Sequence, residues 1–253
     1  MDRMRLPNGQ TVYQINPGET GLMYRNIVAC RSYLQHGVAL RPGTTVFDVG
    51  ANIGISALFF HWECPDLRIF AFEPAPLLFE ALTANLAEHQ VKAIACNYAL
   101  HRAPGTRQLT YYPDTTAMSG LYADPDNDAE LTRVFLANSG FDNDDVEDLA
   151  AGRHSTVTSD CRLRTISEVV EECHVDAIDL LKINVERAEG DVLAGVAESF
   201  WPRIRQLTMQ LHDIEGRLKE VSGELAGRGY RVAVAQDPLL AGTEIYELFA
   251  VRT

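Results

Sequence analysis

Apolar runs and helical spacings alternate along most of the 253-residue chain. Val46, Phe47 and Val49 form a β-branched and aromatic run, which predicts a parallel strand buried on both faces. A turn, Gly50-Ala51-Asn52-Ile53-Gly54, leads into Ile55, Ala57, Leu58 and Phe59 at helical spacing. The unit recurs as a strand at Arg68–Phe72, a helix over Leu77–Glu88, and a strand at Val91–Cys96 that exits at Asn97. Further on, the pattern predicts strands at Thr156–Leu163, Ala177–Ile183 and Ile204–Leu211. Helices are predicted at Ile166–Cys173, Glu189–Glu198 and Gly216–Arg228. Tyr230–Ala235 and Ile245–Val251, separated by a polar loop with Pro238 and Gly242, read as an antiparallel pair at the sheet edge. Such alternation is the signature of an α/β fold with a mostly parallel sheet.

Two stretches stand outside the alternation. Residues 1–40 read as an N-terminal cap segment, with a short edge strand at Thr11–Ile15 and a helix from Glu19 to a glycine cap at Gly37. Tyr24 and Arg25 on that helix either cover a cofactor mouth or pack on the sheet. After a strand at Gln108–Tyr112, residues 113–155 hold only short helical patterns, at Leu131–Ala137 and Val146–Leu149. This reads as an insertion in a single domain spanning 1–253: either a lid or substrate-recognition element, or a solvated decoration.

Charge sharpens that picture. The formal net charge of −13 argues against nucleic acid as a partner. Nine acidic residues between Asp124 and Asp148 face a single base, Arg133, and so account for eight of those charges. The acidity is local. It favours a neutral or amine-bearing ligand over a phosphorylated one. No apolar run reaches the length of a membrane span, and the polar start MDRMRLPNGQ does not resemble a secretory signal. Cys30, Cys64, Cys96, Cys161 and Cys173 are scattered and never in a C-x-x-C pair, which fits reduced thiols in a cytoplasmic protein and no zinc site.

The glycine turn is the first candidate for chemistry. Asn52 stands where a dinucleotide fingerprint needs its second glycine, and Asp48 precedes the turn. A carboxylate there suits the sulfonium and ammonium of S-adenosylmethionine better than a pyrophosphate. Glu73, at the end of the next strand, is placed to take ribose hydroxyls, and Asn97, beyond the third, to meet an adenine edge. The same turn also occurs as a plain βα loop, and Asn97 as an ordinary turn residue.

Two later strand ends are the second candidate. Lys182, Asn184 and Glu186 alternate at the exit of a buried strand and, if extended, project to one side. They could pair with one another or hold a substrate hydroxyl. His212-Asp213 ends the adjacent strand. A neutral imidazole there is a candidate general base, and Asp213 could orient it or bind a cation.

The ordered succession GLMYRNI, RPGTTVFDVGANIGIS, FAFEP, YYPDTTAMSGLYAD, LRTISEVVEE, IDLLKINVERAEGDVLAG, LHDIEGRL and GTEIYELFAVR resembles the FkbM family of S-adenosylmethionine-dependent methyltransferases. The likeness is greatest to the branch within or beside polyketide synthases and nonribosomal peptide synthetases. It implies a class I, Rossmann-like fold with a seven-stranded sheet, and methyl transfer to a hydroxyl of a polyketide, macrolide or peptide product. By the same resemblance, Asp48, Gly50, Asn52, Gly54 and Glu73 hold the cofactor, while Lys182, Glu186 and His212 surround the acceptor. Tyr24 and Met118-Ser119-Gly120 are then expected near cofactor or acceptor. Asn184 stands where the family usually has aspartate, Arg187 where glycine is common, and Gln210 where glutamate is frequent. Two missing carboxylates weaken any metal-assisted scheme without excluding it. A sugar O-methyltransferase, an inactive cofactor-binding module and an NAD(P)-dependent oxidoreductase are the rival readings. The acceptor is a small hydroxylated molecule, free or on a carrier protein, for which Arg153, Arg162 and Arg164 are the densest basic group.

Overall fold

The computed structural model describes residues 1–252. It begins with a hairpin, β1 (Asp2–Arg5) and β2 (Thr11–Gln14), then α1 (Pro17–Met23) running into a π-helical turn at Tyr24–Ala29. The predicted helix to Gly37 is therefore too long. Asn16 caps α1 through Gly18 N and Glu19 N, but Arg31 and His36 adopt positive φ and break the chain into turns. The Thr11–Ile15 strand pairs with β1, not with the main sheet.

The alternating units follow as β3 (Thr44–Val49), α2 (Ile55–Glu63), β4 (Leu67–Phe72), α3 (Pro76–Glu88) and β5 (Ala93–Cys96). After β6 (Ala99–Leu100) and β7 (Gly105–Tyr111) come α4 (Pro125–Asn138), α5 (Asn143–Ala150) and β8 (Val157–Arg164). The chain ends with α6 (Ile166–Glu172), β9 (Leu180–Ile183), α7 (Glu189–Ala194), β10 (Gln206–His212), α8 (Arg217–Gly227), β11 (Tyr230–Ala235) and β12 (Ile245–Arg252).

Seven strands form one sheet in the order β11-β12-β10-β9-β3-β4-β5, with β12 antiparallel to both neighbours and the other pairings parallel. The strand at 157–164 does not join it. It pairs antiparallel with β7 and parallel with β6 in a separate three-stranded sheet. Helices cover both faces of the main sheet, so alternate residues of β3 enter different cores. Val46 packs with α2, α3 and the N-terminal segment, whereas Phe47 and Val49 pack with α6 and α7. The strand order reverses beside β3, and its C-terminal end, with those of β4 and β9, opens on one crevice.

The acidic run is partly explained by helix starts. Asp124 and Asp142 accept hydrogen bonds from Asn127 N and Asp145 N at the N-termini of α4 and α5. Asp126, Asp128, Asp144 and Asp145 lie in the first turns, where the helix dipole favours anions.

Candidate active site

A cleft enclosing about 920 Å³, part of it open to solvent, lies at those strand ends. Gly50, Ala51, Asn52 and Glu73 form one wall. Asn184, Val185 and Glu186 form another, and the loop 116–121 contributes Thr116, Ala117, Ser119, Gly120 and Leu121. Met23, Ile27 and Tyr33 of the N-terminal segment close it.

The turn is shaped by two constraints. Gly50 has φ 76, and a Cβ there would stand 1.7 Å from the carbonyl oxygen of Asn184, so no other residue fits without moving the backbone. Asn52, at φ 51, donates its backbone N–H to Glu73 Oε2 at 2.8 Å, and Ala75 N donates to Glu73 Oε1 at 2.9 Å. Burial pushes the Glu73 carboxyl up to about 7, against those two hydrogen bonds. Gly54 caps α2 and stands outside the cavity lining.

Asp48 does not face the cavity. It is fully buried, accepts a hydrogen bond from Ser56 Oγ, and lies 2.9 Å from Lys182 Nζ. The two are direct partners across β3 and β9. Lys182 Nζ also donates to the carbonyls of Gly50 at 2.7 Å and Val49 at 3.4 Å, and stands over the Tyr33 ring. Burial opposes this ammonium, but Asp48, Tyr33 and Glu73 together outweigh it and raise its pKa. Lys182 therefore lines the cavity as a saturated cation holding the glycine turn, not as a free charge aimed at an acceptor.

His212 departs further from expectation. It is fully buried, with Nδ1 3.1 Å from Glu189 Oε1 and Nε2 3.3 Å from Glu186 Oε2. Burial lowers its pKa, yet the contacts with both carboxylates dominate and push it up to about 10. Both ring nitrogens thus face carboxylates and His212 is not among the residues of the cavity wall, so it does not stand where the expected general base would meet an acceptor. Glu186 itself is among the residues that line the cavity, with Oε2 turned towards His212. Glu186 and Arg187 both have positive φ, a conformation costing roughly 1–2 kcal/mol per non-glycine residue. Glu189 offsets this by accepting Arg187 N, and Arg217 Nη1 donates to Arg187 O.

Three other expected residues face elsewhere. Asn97 is exposed and donates to the carbonyls of Glu73 and Pro74. Asp213 accepts Leu218 N at the start of α8. Tyr24 is half-buried against the core, while its neighbours Met23 and Ile27 reach the cavity. Asn184 and Ser119 do line it; Asn184 Nδ2 lies 3.5 Å from Tyr33 Oη, and Ser119 Oγ accepts Tyr112 N. Tyr33 and Glu189 were not singled out in the sequence. The first follows no motif, and the second reads simply as the start of a helix.

Residues 48–232 match the family model described as the methyltransferase FkbM domain. The chain belongs to the FkbM methyltransferase family. It is 47% identical over its full length, and 98% of the relative's, to the 31-O-demethyl-FK506 methyltransferase FkbM of Streptomyces tacrolimicus. It is also 34% identical, over 98% of its length, to a segment making up 12% of the AMB antimetabolite synthetase AmbE of Pseudomonas aeruginosa. The solved methyltransferase FkbM from Methylobacillus flagellatus shares the fold, with a TM-score of 0.55 at 12% identity, covering 86% of this chain and 46% of that one.

As an FkbM methyltransferase, the protein uses S-adenosylmethionine. The crevice fits that group. Gly50, Ala51 and Asn52 of the turn and Glu73 line the crevice together, and the Glu73 carboxyl, held by Asn52 N and Ala75 N, is an acceptor suited to a ribose diol. Among the described residues, no group of three or more His, Cys, Asp or Glu is arranged to hold a metal ion, and no helix is long and apolar enough to cross a membrane.

Proposed function

We propose that this chain transfers the methyl group of S-adenosylmethionine to a hydroxyl oxygen of an uncharged natural product. The observation that carries this reading is Glu186, a residue of the cavity lining whose carboxylate is also in contact with His212. When bound, S-adenosylmethionine supplies an electrophilic methyl carbon. Gly50, Asn52 and Glu73 hold its adenosyl part, Glu73 by accepting the ribose hydroxyls. Glu186 Oε2 faces His212, which leaves Oε1 to accept the hydrogen bond of the substrate hydroxyl. A carboxylate is too weak a base to ionise an alcohol beforehand. The proton therefore passes to Glu186 as the new C–O bond forms, the methyl–sulfur bond breaks with its electron pair staying on sulfur, and the hydroxyl grows acidic. Tyr33, Met23 and Ile27 exclude water.

Charge in the cavity supports an uncharged acceptor. Among the described residues Lys182 is the only basic one in the lining, and that ammonium is already taken up by Asp48 and two carbonyls. An anionic substrate would meet Glu186 with no free counter-charge. Gln210 lies opposite Glu247 on β12 and is not part of the lining, which favours an active enzyme over a decayed one. The relatives' names support a natural-product acceptor, and both a free product and one tethered to a carrier protein fit. Of the three arginines considered for carrier docking, Arg164 is paired with Glu172 and stacked on Tyr98.

The test uses 31-O-demethyl-FK506 as probe acceptor with S-adenosylmethionine. A gain of one methyl is expected by mass spectrometry, and it should vanish when the probe's hydroxyls are acetylated beforehand. Undiminished transfer to the blocked probe would show another atom to be the target.

Cofactor affinity should depend on pH through Glu73. Hydrogen bonds from a ribose favour the ionised carboxyl, whose value in the free protein is about 7. Calorimetry with S-adenosylhomocysteine should therefore show affinity rising from about pH 6 and levelling above about pH 8, by up to roughly tenfold. Glu73→Gln should flatten the curve. In the ligand-free protein the sign is opposite. The unfolded chain releases this proton near 4.5 and the folded one near 7, so stability falls as pH rises through that window.

A further inference from the structure

Arg187 holds a left-handed conformation at φ 70 that glycine would adopt without strain, so its side chain must repay the site in another way. Its buried guanidinium meets Asp128 Oδ1 of α4 at 2.6 Å and donates to the carbonyl of Tyr122 at 3.4 Å. Asp128 is fully buried. Its Oδ2 accepts Tyr112 Oη at 2.7 Å and Asp124 N at 3.1 Å. Tyr112 and Tyr122 bracket the loop 113–121, which supplies Thr116 through Leu121, save Met118, to the cavity wall.

We infer that Arg187 and Asp128 are positioning residues that pin both ends of this loop and so set the acceptor side of the cavity, independently of the cofactor turn. This rests on the reading that the loop borders the acceptor. Gly120 shows how little play the loop has, since a Cβ there would stand 3.1 Å from Glu186 Cβ and 3.3 Å from Glu186 O. On the far side, Glu19 accepts Thr116 Oγ1 at 2.8 Å and Ala117 N at 3.2 Å, tying the middle of the loop to α1. With centre and ends all held, the wall moves only if one tether gives. The insertion thus serves the site through one buried carboxylate, and its exposed acids are not needed for this role.

Hydrogen exchange on the full chain with S-adenosylhomocysteine tests the inference. In Arg187→Gly, where glycine suits the backbone, and in Asp128→Asn, exchange over 113–121 should quicken by about tenfold or more, while 44–56 stays protected. The double variant should be no worse than the worse single one, because both cut the same link. Cofactor affinity should stay within about twofold, and KM for the 31-O-demethyl-FK506 probe should rise by about tenfold with a smaller change in kcat. Unchanged exchange over 113–121 in Asp128→Asn overturns the inference, as does quickened exchange over 44–56 as well, which would make the pair a support of the whole fold. If Arg187→Gly does not fold, the near-isosteric Asp128→Asn decides alone. Glu186→Gln separates the two readings. Should it keep full transfer while 113–121 loosens in the pin variants, the pins stand and the role of Glu186 falls.

Discussion

Glu186→Gln is expected to slow methyl transfer by about two to four powers of ten while cofactor affinity stays within about threefold. The amide matches the carboxylate in size, so the turn with Arg187 and the contact with Gly120 persist. What it removes is the negative charge of a cavity-lining residue that His212 contacts. With no acceptor for the hydroxyl proton, attack must proceed from a neutral alcohol or wait for water. Single-turnover transfer to the probe, with cofactor affinity measured in parallel by calorimetry, checks both halves of the expectation. Transfer within a few-fold of the parent would remove Glu186 from proton handling, and the reading of the cavity would need a different base.

Gly50→Ala should be the most damaging single methyl in the chain. Its Cβ would fall 1.7 Å from Asn184 O and 2.8 Å from Asn184 C, and both atoms are backbone, so no side-chain rotation relieves the clash. The φ of 76 adds strain of its own. Either the turn shifts off Lys182 and Glu73, costing at least about 100-fold in cofactor affinity, or the β3–β9 junction opens and stability falls by about 3 kcal/mol or more. Thermal denaturation with and without S-adenosylhomocysteine distinguishes these outcomes. A variant with the parent's melting temperature and affinity would mean that the turn has slack the structure does not show.

The elements that carry the site were legible because they obey strong local rules. β3, the glycine turn, α2, β4 just ahead of Glu73, and the exits of β9 and β10 all fall where hydrophobic period and punctuation put them. Partnership was not legible. Whether Thr156–Leu163 joins the main sheet depends on which edge is free, and local pattern does not encode that. The pairing of Asp48 with Lys182 depends on the register of β3 against β9, so two residues expected to act on ligands proved to be bound to each other. The surroundings of His212 differ from the expected ones for a related reason. Its place at a strand end is evident from the sequence, but its charge state is set by Glu186 and by Glu189, which only the course of the chain into α7 brings beside it. The N-terminal helix ends early because Arg31 turns left-handed, something a helical spacing with a distant glycine does not disclose.

The buried bond between Asp48 and Lys182 has a bearing on how the protein meets its medium. Mobile ions screen charges that water touches, and here water is shut out from both partners. The floor of the crevice should then be indifferent to anything between dilute buffer and brine. Sensitivity to electrolyte should come instead from the surface, where the acids of α4 and α5 other than Asp128 stand in solution.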